Sequence, residues 1–472
     1  MKNLNKSMAL VAAIDMSASM LAGCNTGAGD TTDATTAGTD GTTAEVTMAT
    51  TAETQPEAVA AVSDGKEFVF YAWNEEFKGF MEKYYLIDNP LPAGVTWAPL
   101  ITTGTQEYIN KTDAQLAADA SSAAADKIDL LAAEFNYIKR YVDVPYTMPL
   151  TSLGLTQAEL DTQVEYTLAT GIDASGVYKA ISFQTTPMLF AYRKSTAEKV
   201  LGTSDPAEVG AMIKDWAGYE DVSKKMLDAG VAMNNTVNDL FWPYANSSGG
   251  AIVAVGSEQI TIPAAWDKWV DDSKARMDAG YAASAVSLWD GSWTASMVDG
   301  SAFCYAGPAW LINFTLEPAV KDTPAYGDYL VTTGPVASFW GGTWLMGGAS
   351  SDNTDLVADV MRYFCVENES VLKVAVTEAY TPSNLQVFEQ MAAGGAEYGV
   401  PMLGGQNPYD LYLTAAKGIT GDMIAKEISV YGLLAETYQG AYGDYFNGTI
   451  DKATALENFY TNAQTAYSNL KR

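Results

Sequence analysis

The chain has 472 residues, 48% hydrophobic and 18% charged, enough for a folded body of two or three domains. Its 57 acidic side chains against 27 basic ones leave a formal charge of −30, which keeps it soluble by self-repulsion. That balance excludes a phosphate-backbone ligand and a polybasic hold on anionic lipid. Histidine is absent, which removes Ser-His-Asp and Cys-His catalysis and His-ligated zinc and leaves carboxylate-pair chemistry open.

Lys2 and Lys6 give a short basic start, an apolar run follows from Met8 to Met20, and Leu21-Ala22-Gly23-Cys24 closes it. The run is too short to span a bilayer as a mature helix and has the layout of a signal peptide. Its ending resembles the bacterial lipoprotein signal, which implies a signal peptide over 1–23 and lipidation of Cys24. Asp15, a charge inside the apolar run, departs from that pattern. Residues 24–65 are rich in Thr, Ala and Gly, with no aromatic residue and no basic residue before Lys66. Such a stretch cannot bury enough surface to fold and reads as a disordered tether. The expected location is therefore outside the cell, on the outer face of the cytoplasmic membrane, with two acyl chains at Cys24 giving stable anchoring.

The folded body alternates strands and helices. Phe68 to Trp73 reads as a first strand, followed by a helix with Phe77, Phe80, Met81 and Tyr84 on one face. Thr112 to Ala125 reads as a helix, Lys127 to Ala132 as a strand ending near Glu134, and Val177 to Phe183 as another strand. Pro187 to Lys194 is extended, and Ser351 to Phe364 is an amphipathic helix that Asp352 or Asn353 would cap. This alternation predicts α/β layers. A P-loop and a dinucleotide fingerprint are both missing, so no nucleotide cofactor is expected. Cys304, in an apolar strand-like run, and Cys365, at a helix end, read as buried free thiols, with a disulfide between them the other reading.

FVFYAWNEEFKGFMEKYY at 68–85, DKIDLLAAEFNYIKRYVD at 126–143 and GVYKAISFQTTPMLFAYRK at 176–194 are similar, in order and spacing, to the family 1 extracellular solute-binding proteins. DGSAFCYAGPAWLINF at 299–314, GDYLVTTGP at 327–335, FWGGTWLMG at 339–347 and LGGQNPYD at 403–410 extend the resemblance to the C-terminus. It implies the two-lobe periplasmic-binding type II fold with a hinge between lobes. Lobe one would be 66–182 plus 340–388 and lobe two 183–339 plus 389–472. It further implies a monomer that captures a carbohydrate, an oligosaccharide, and delivers it to the permease subunits of an ABC importer, without catalysis.

A sugar offers a rim of hydroxyls and weakly apolar ring faces, so its site needs aromatic platforms beside carboxylates and amides. Candidates at the ends of the expected strands are Trp73, Asn74, Glu75 and Glu76, then Glu134 and Tyr137. Trp289 and Asp290 lie in a Trp-Asp-Gly turn near Trp293. Trp310 follows a Gly-Pro turn, and Trp340, Gly341 and Gly342 offer a platform with accessible backbone N–H groups. Gln406 and Asn407 are amide candidates, and Asn238, Asp239 and Phe241 are weaker ones in lobe two.

Other readings compete. A carboxylate-pair glycosidase would draw on Glu75, Glu76, Glu134 and Asp290. A sensor subunit would use the same capture physics, and a peptide or polyamine is an alternative guest, a dication suiting an acidic cleft.

Overall fold

The computed structural model describes residues 65–472 except 122, 124–126, 248–250, 255, 422 and 425–432. The expected signal peptide, Cys24 and all of the tether before Gly65 lie outside the described residues. Among those residues no helix is long and apolar enough to cross a membrane.

Among the described residues ten strands form a five-stranded sheet and, side by side, a three-stranded sheet and a strand pair that make up a second. In the first, β1 (Glu67–Ala72) pairs in parallel with β2 (Thr96–Ile101) and β3 (Leu130–Glu134). β4 (Ile181–Ser182) lies at its far edge. The second sheet is built from β5 (Leu189–Arg193), β6 (Asn234–Thr236), β7 (Ala282–Ser284), β8 (Cys304–Gly307) and β9 (Tyr329–Thr332). β10 (Thr343–Gly347) returns to the first sheet, antiparallel between β3 and β4.

The two sheets repeat one plan. Sheet one has the order β2-β1-β3-β10-β4. In sheet two β8-β5-β9 is antiparallel and β6 pairs in parallel with β7. The Phe303 and Cys304 N–H groups donate to the Ala232 and Met233 carbonyls, 2.8 and 3.0 Å, which joins the pieces in the order β7-β6-β8-β5-β9. Each sheet thus has three parallel strands followed by an antiparallel strand that arrives from the other sheet, β10 in one and β5 in the other. This is the expected α/β two-lobe architecture.

The core follows from side-chain alternation. Leu189 and Ala191 face the large core that also holds sheet one, while Phe190 and Tyr192 face a second core with Trp266, Trp269 and Tyr438. β5 is buried on both faces, which accounts for its unbroken apolar run. Cys304 and Cys365 are buried free thiols, one in each core, as their apolar settings predict.

Several boundaries differ from expectation. The first helix runs Glu76–Phe80 and then widens to a π-turn at Met81–Tyr85, still burying Phe77, Phe80, Met81 and Tyr84. The next helix is Thr105–Ala118, set earlier by Gly104, whose φ of +102° breaks the strand before it. Between Val177 and Phe183 only Ile181–Ser182 is strand. The late amphipathic helix is Thr354–Met361, and Asn353 occupies its cap position without capping. Its amide is spent on the Glu67 carbonyl, 2.8 Å, and on Asp129.

Two chain crossings link the sheets side by side. Met188 N–H donates to Ser338 at 2.8 Å, Trp340 N–H to Thr186 at 3.2 Å, and the Thr186 hydroxyl to Gly341 at 2.8 Å. A third segment joins them through Thr185 N–H to Thr381, 2.7 Å, and Ser383 N–H to Phe183, 3.1 Å. Phe183, Thr185, Thr186, Phe339, Thr381 and Ser383 are all buried, so these bonds satisfy backbone groups that water cannot reach.

Candidate functional site

The parallel strands of both sheets end toward the crossings. β3 ends at Glu134, opposite Thr343 where β10 begins, and β8 ends at Gly307, opposite Leu189 where β5 begins. In α/β sheets the carboxyl ends of the strands are where ligands bind, so this rim is the place to look.

Three of the expected tryptophans meet there. Trp310 and Trp340 stand edge to face with centroids 4.5 Å apart, and the Trp310 indole donates to the Trp340 carbonyl at 3.3 Å. Trp289 stacks on Trp310 at 5.8 Å and 25° and leans on Trp340 at 6.1 Å. It is 39% exposed, and its backbone holds φ +75°, a region a bulky side chain avoids unless its surroundings impose it. The result is an indole wall gathered from the loops after β7 and β8 and the approach to β10.

Behind the wall, Trp293 is fully buried against Trp289, centroids 5.4 Å apart. Its indole N–H donates to Asp239 at 2.9 Å. Asp239 is itself 3% exposed and lies at the third position of a capping box with Thr236. Burial pushes its carboxyl up to about 7 against the pull of the Trp293 bond. Asp239 therefore props the wall from inside through its bond to Trp293.

Beside the wall, next to Gly341, stands Glu134. Its carboxylate accepts the Asn136 N–H at 2.7 Å. A Cβ placed on Gly341 would lie 3.2 Å from Glu134 Oε1 and 3.9 Å from Trp310 Nε1, so acid and indole flank that glycine. Gly341 (φ +69°) and Gly342 (φ +118°) are both in conformations that side chains resist, and a Cβ on Gly342 would meet the Trp344 ring at 2.9 Å. The Gly341 carbonyl takes the Thr186 hydroxyl and the Gly342 carbonyl takes Phe135 N–H, so the pair works as a narrow passage that lets Glu134 approach the wall.

The Asn136 side chain reaches across to Glu436 at 3.0 Å. Glu436 lies on the helix Leu434–Phe446, whose Leu434, Ala435 and Tyr438 belong to the second core, against which Trp340 also packs. Its side chain is exposed to solvent. Burial, with the nearby Glu436 charge adding, pushes the Glu134 carboxyl up to about 8. Neither Glu436 nor Asn136 was among the sequence candidates. A lone Glu on an ordinary helix, some 300 positions from its partner, carries no local signal.

The other candidates divide. Trp73 is half-buried, edge-on to Tyr108 and Tyr137, and Tyr137 is buried in that aromatic group. Asn74 caps the turn by accepting Glu76 N–H at 3.1 Å, and Glu75 pairs with Lys78 at 2.8 Å. Burial, with the nearby Glu378 charge, pushes Glu76 up to about 7. Asp290 caps the helix Gly291–Asp299, and the Ser292 bonds hold its carboxyl below the usual range. Gln406 bonds both ways to the Val331 backbone on the edge of β9, 2.8 and 2.9 Å. Asn407 bonds Met391 and Tyr409. Both amides thus bond backbone groups of the fold. Three of the acids suggested for a glycosidase have separate partners: Glu75 pairs with Lys78, Glu134 accepts from Asn136 and Asp290 accepts from Ser292.

A depression of about 510 Å³ lined by Lys194, Ser195, Glu198 and Asp328 lies at the Arg193 end of β5, away from the wall. No group of three or more metal-binding side chains occurs among the described residues.

Residues 93–397 match the model of a family described as bacterial extracellular solute-binding protein. No curated protein matches the chain in sequence. Among solved structures, an extracellular solute-binding protein family 1 crystal structure is similar with TM-score 0.69 and 18% identity, covering 85% of this chain and 99% of its own. An ABC-transporter-associated binding protein from B. animalis subsp. lactis, in complex with β-1,6-galactobiose, is similar with TM-score 0.61 and 16% identity, covering 87% and 100%. The galacto-N-biose-/lacto-N-biose I-binding protein of Bifidobacterium longum, in complex with lacto-N-biose, gives 0.62 and 14%, covering 86% and 98%. At these identities the likeness is one of fold.

Proposed function

Because the chain belongs to the bacterial extracellular solute-binding proteins, we propose that it captures a carbohydrate, an oligosaccharide, between its lobes and delivers it to the permease of an ABC importer. The observation that carries this reading is the wall of Trp289, Trp310 and Trp340 with Glu134 beside it at Gly341. Indole faces match the C–H faces of a sugar ring, and the carboxylate takes its hydroxyls. The disaccharides held by the fold neighbours support it.

The lobes are taken as 66–182 with 340–388 and 183–339 with 389–472. The crossings near Gln184–Pro187 and Ser338–Gly342 act as the hinge. A guest that touches both lobes only when they are shut shifts the population toward the closed form, which the permease recognises. Capture involves no turnover, and the protein works as a monomer. Cys24, lipidated after removal of 1–23, tethers it to the outer face of the membrane; a Cys24→Ala chain that stayed membrane-bound would refute the anchor.

A thermal-shift screen against mono- and oligosaccharides tests the assignment. A true ligand at about 100 times its Kd adds about 2.7 kcal/mol of stability. A sugar that raises the melting temperature and is recovered intact supports capture; cleavage of the oligosaccharide points to the glycosidase. Shifts with peptides alone would contradict the carbohydrate reading.

A further inference from the structure

We infer that Asn238 and Asp239 are positioning residues of the guest site: from the turn after β6 they grip both ends of the segment 286–293 and so hold Trp289 in the indole wall. The inference rests on the carbohydrate reading above and goes beyond it by naming what fixes the wall's exposed member.

The bonds run from that turn to either side of Trp289. Before it, the Val286 carbonyl accepts both the Thr236 hydroxyl at 2.7 Å and the Asn238 side-chain amide at 2.9 Å. After it, the Trp293 indole N–H donates to Asp239 at 2.9 Å. The grip is itself anchored. Thr236, Asn238 and Asp239 are buried, and Thr236 and Asp239 close a capping box on the turn. Trp269, fully buried in the second core, donates its indole N–H to the Val237 carbonyl at 3.2 Å.

Trp289 is where that grip is needed. It is exposed, and its φ of +75° is one that a bulky residue keeps only where its surroundings over-determine it. Its ring meets Trp293 at 5.4 Å, Trp310 at 5.8 Å and Trp340 at 6.1 Å. A single ring contact is no larger than the strain of such a backbone, whereas bonds at both ends fix the chain that carries the ring. Asn238 and Asp239 therefore act on a guest through Trp289, without touching it.

The full chain labelled with 5-fluorotryptophan tests this, its Trp289 fluorine resonance assigned by Trp289→Phe. The variants are Asn238→Ala, Trp293→Phe, Asp239→Leu and Asp239→Asn, the last of which keeps an acceptor for the indole. One sharp Trp289 resonance is expected in the unsubstituted chain. It should broaden or split in the first three variants and sharpen again in Asp239→Asn. Titration calorimetry with maltotriose, cellotriose and xylotriose gives a second readout. A sugar that binds the unsubstituted chain is expected to lose at least about tenfold in affinity in Trp293→Phe. In a Trp289→Ala chain the same change is expected to cost nothing more, because its effect runs through Trp289. A Trp289 resonance that stays sharp and single in Trp293→Phe and Asn238→Ala, or a Trp293→Phe loss that adds in full to that of Trp289→Ala, overturns the inference and leaves the carbohydrate reading standing. If Asp239→Leu does not fold, Trp293→Phe and Asn238→Ala decide. If none of the three sugars binds, the resonance alone judges the inference, and the thermal-shift screen judges the carbohydrate reading.

Discussion

Asn136 and Glu436 bond at 3.0 Å across the two lobes, one just after the end of β3, the other on a helix rooted in the second core. This contact links parts of the chain that no local pattern connects. Truncating either residue to Ala is expected to weaken ligand affinity, with the double variant costing less than the sum of the two singles. The coupling should be about 1 kcal/mol, as for a hydrogen bond to a charged group in partial contact with water. A double-mutant cycle by calorimetry checks it.

The indole wall leads to a sharper expectation. Trp310 touches both Trp289 and Trp340 and flanks Gly341 beside Glu134. Trp310→Ala should cut affinity by about 2 kcal/mol, in the range of a central aromatic contact. Circular dichroism should find the fold retained, since the Trp310 ring is only partly buried.

Gly342 tests the narrow passage. Its φ of +118° and the 2.9 Å approach of a Cβ to Trp344 mean that Gly342→Ala strains backbone and core together. A loss of about 2 kcal/mol in denaturant unfolding is expected, with weaker binding because Glu134 and the wall are displaced.

Stability should fall as pH rises. Glu76, Glu134 and Asp239 all have carboxyls raised to about 7 or 8 in the folded chain, chiefly by desolvation. Each binds its proton more tightly folded than unfolded. Its contribution is therefore whole below the ordinary carboxylate range and is lost as pH climbs through 7 to 8. The melting temperature is expected to be higher near about pH 5 than near about pH 8.5. Asp239→Asn should flatten that slope, because Asp239 is the most deeply buried of the three.

Gln406 separates support from recognition. It closes the edge of β9 through two bonds to Val331. Gln406→Leu should lower stability by about 1 to 3 kcal/mol, by orphaning those backbone groups, and leave ligand affinity unchanged. Calorimetry beside denaturant unfolding distinguishes the two effects.

The fold and the wall were legible in the sequence for local reasons. β5 reads as strand because Leu189 to Tyr192 is apolar on both faces, and Trp310 and Trp340 are marked by Gly-Pro and Gly-Gly at strand ends. Gln406 and Asn407 bond backbone in the structure, and sequence does not say whether a loop amide bonds a guest or its own backbone. Asp239 reads as a cleft acid, and the structure adds its bond to Trp293 from beneath. Glu436 was hidden because its role comes from tertiary approach alone.

The most direct measurement is small-angle scattering of the full chain with and without a saccharide that stabilises it. Two lobes shutting over a sugar predict a smaller radius of gyration in the bound state. An unchanged radius at saturating sugar would contradict capture by closure.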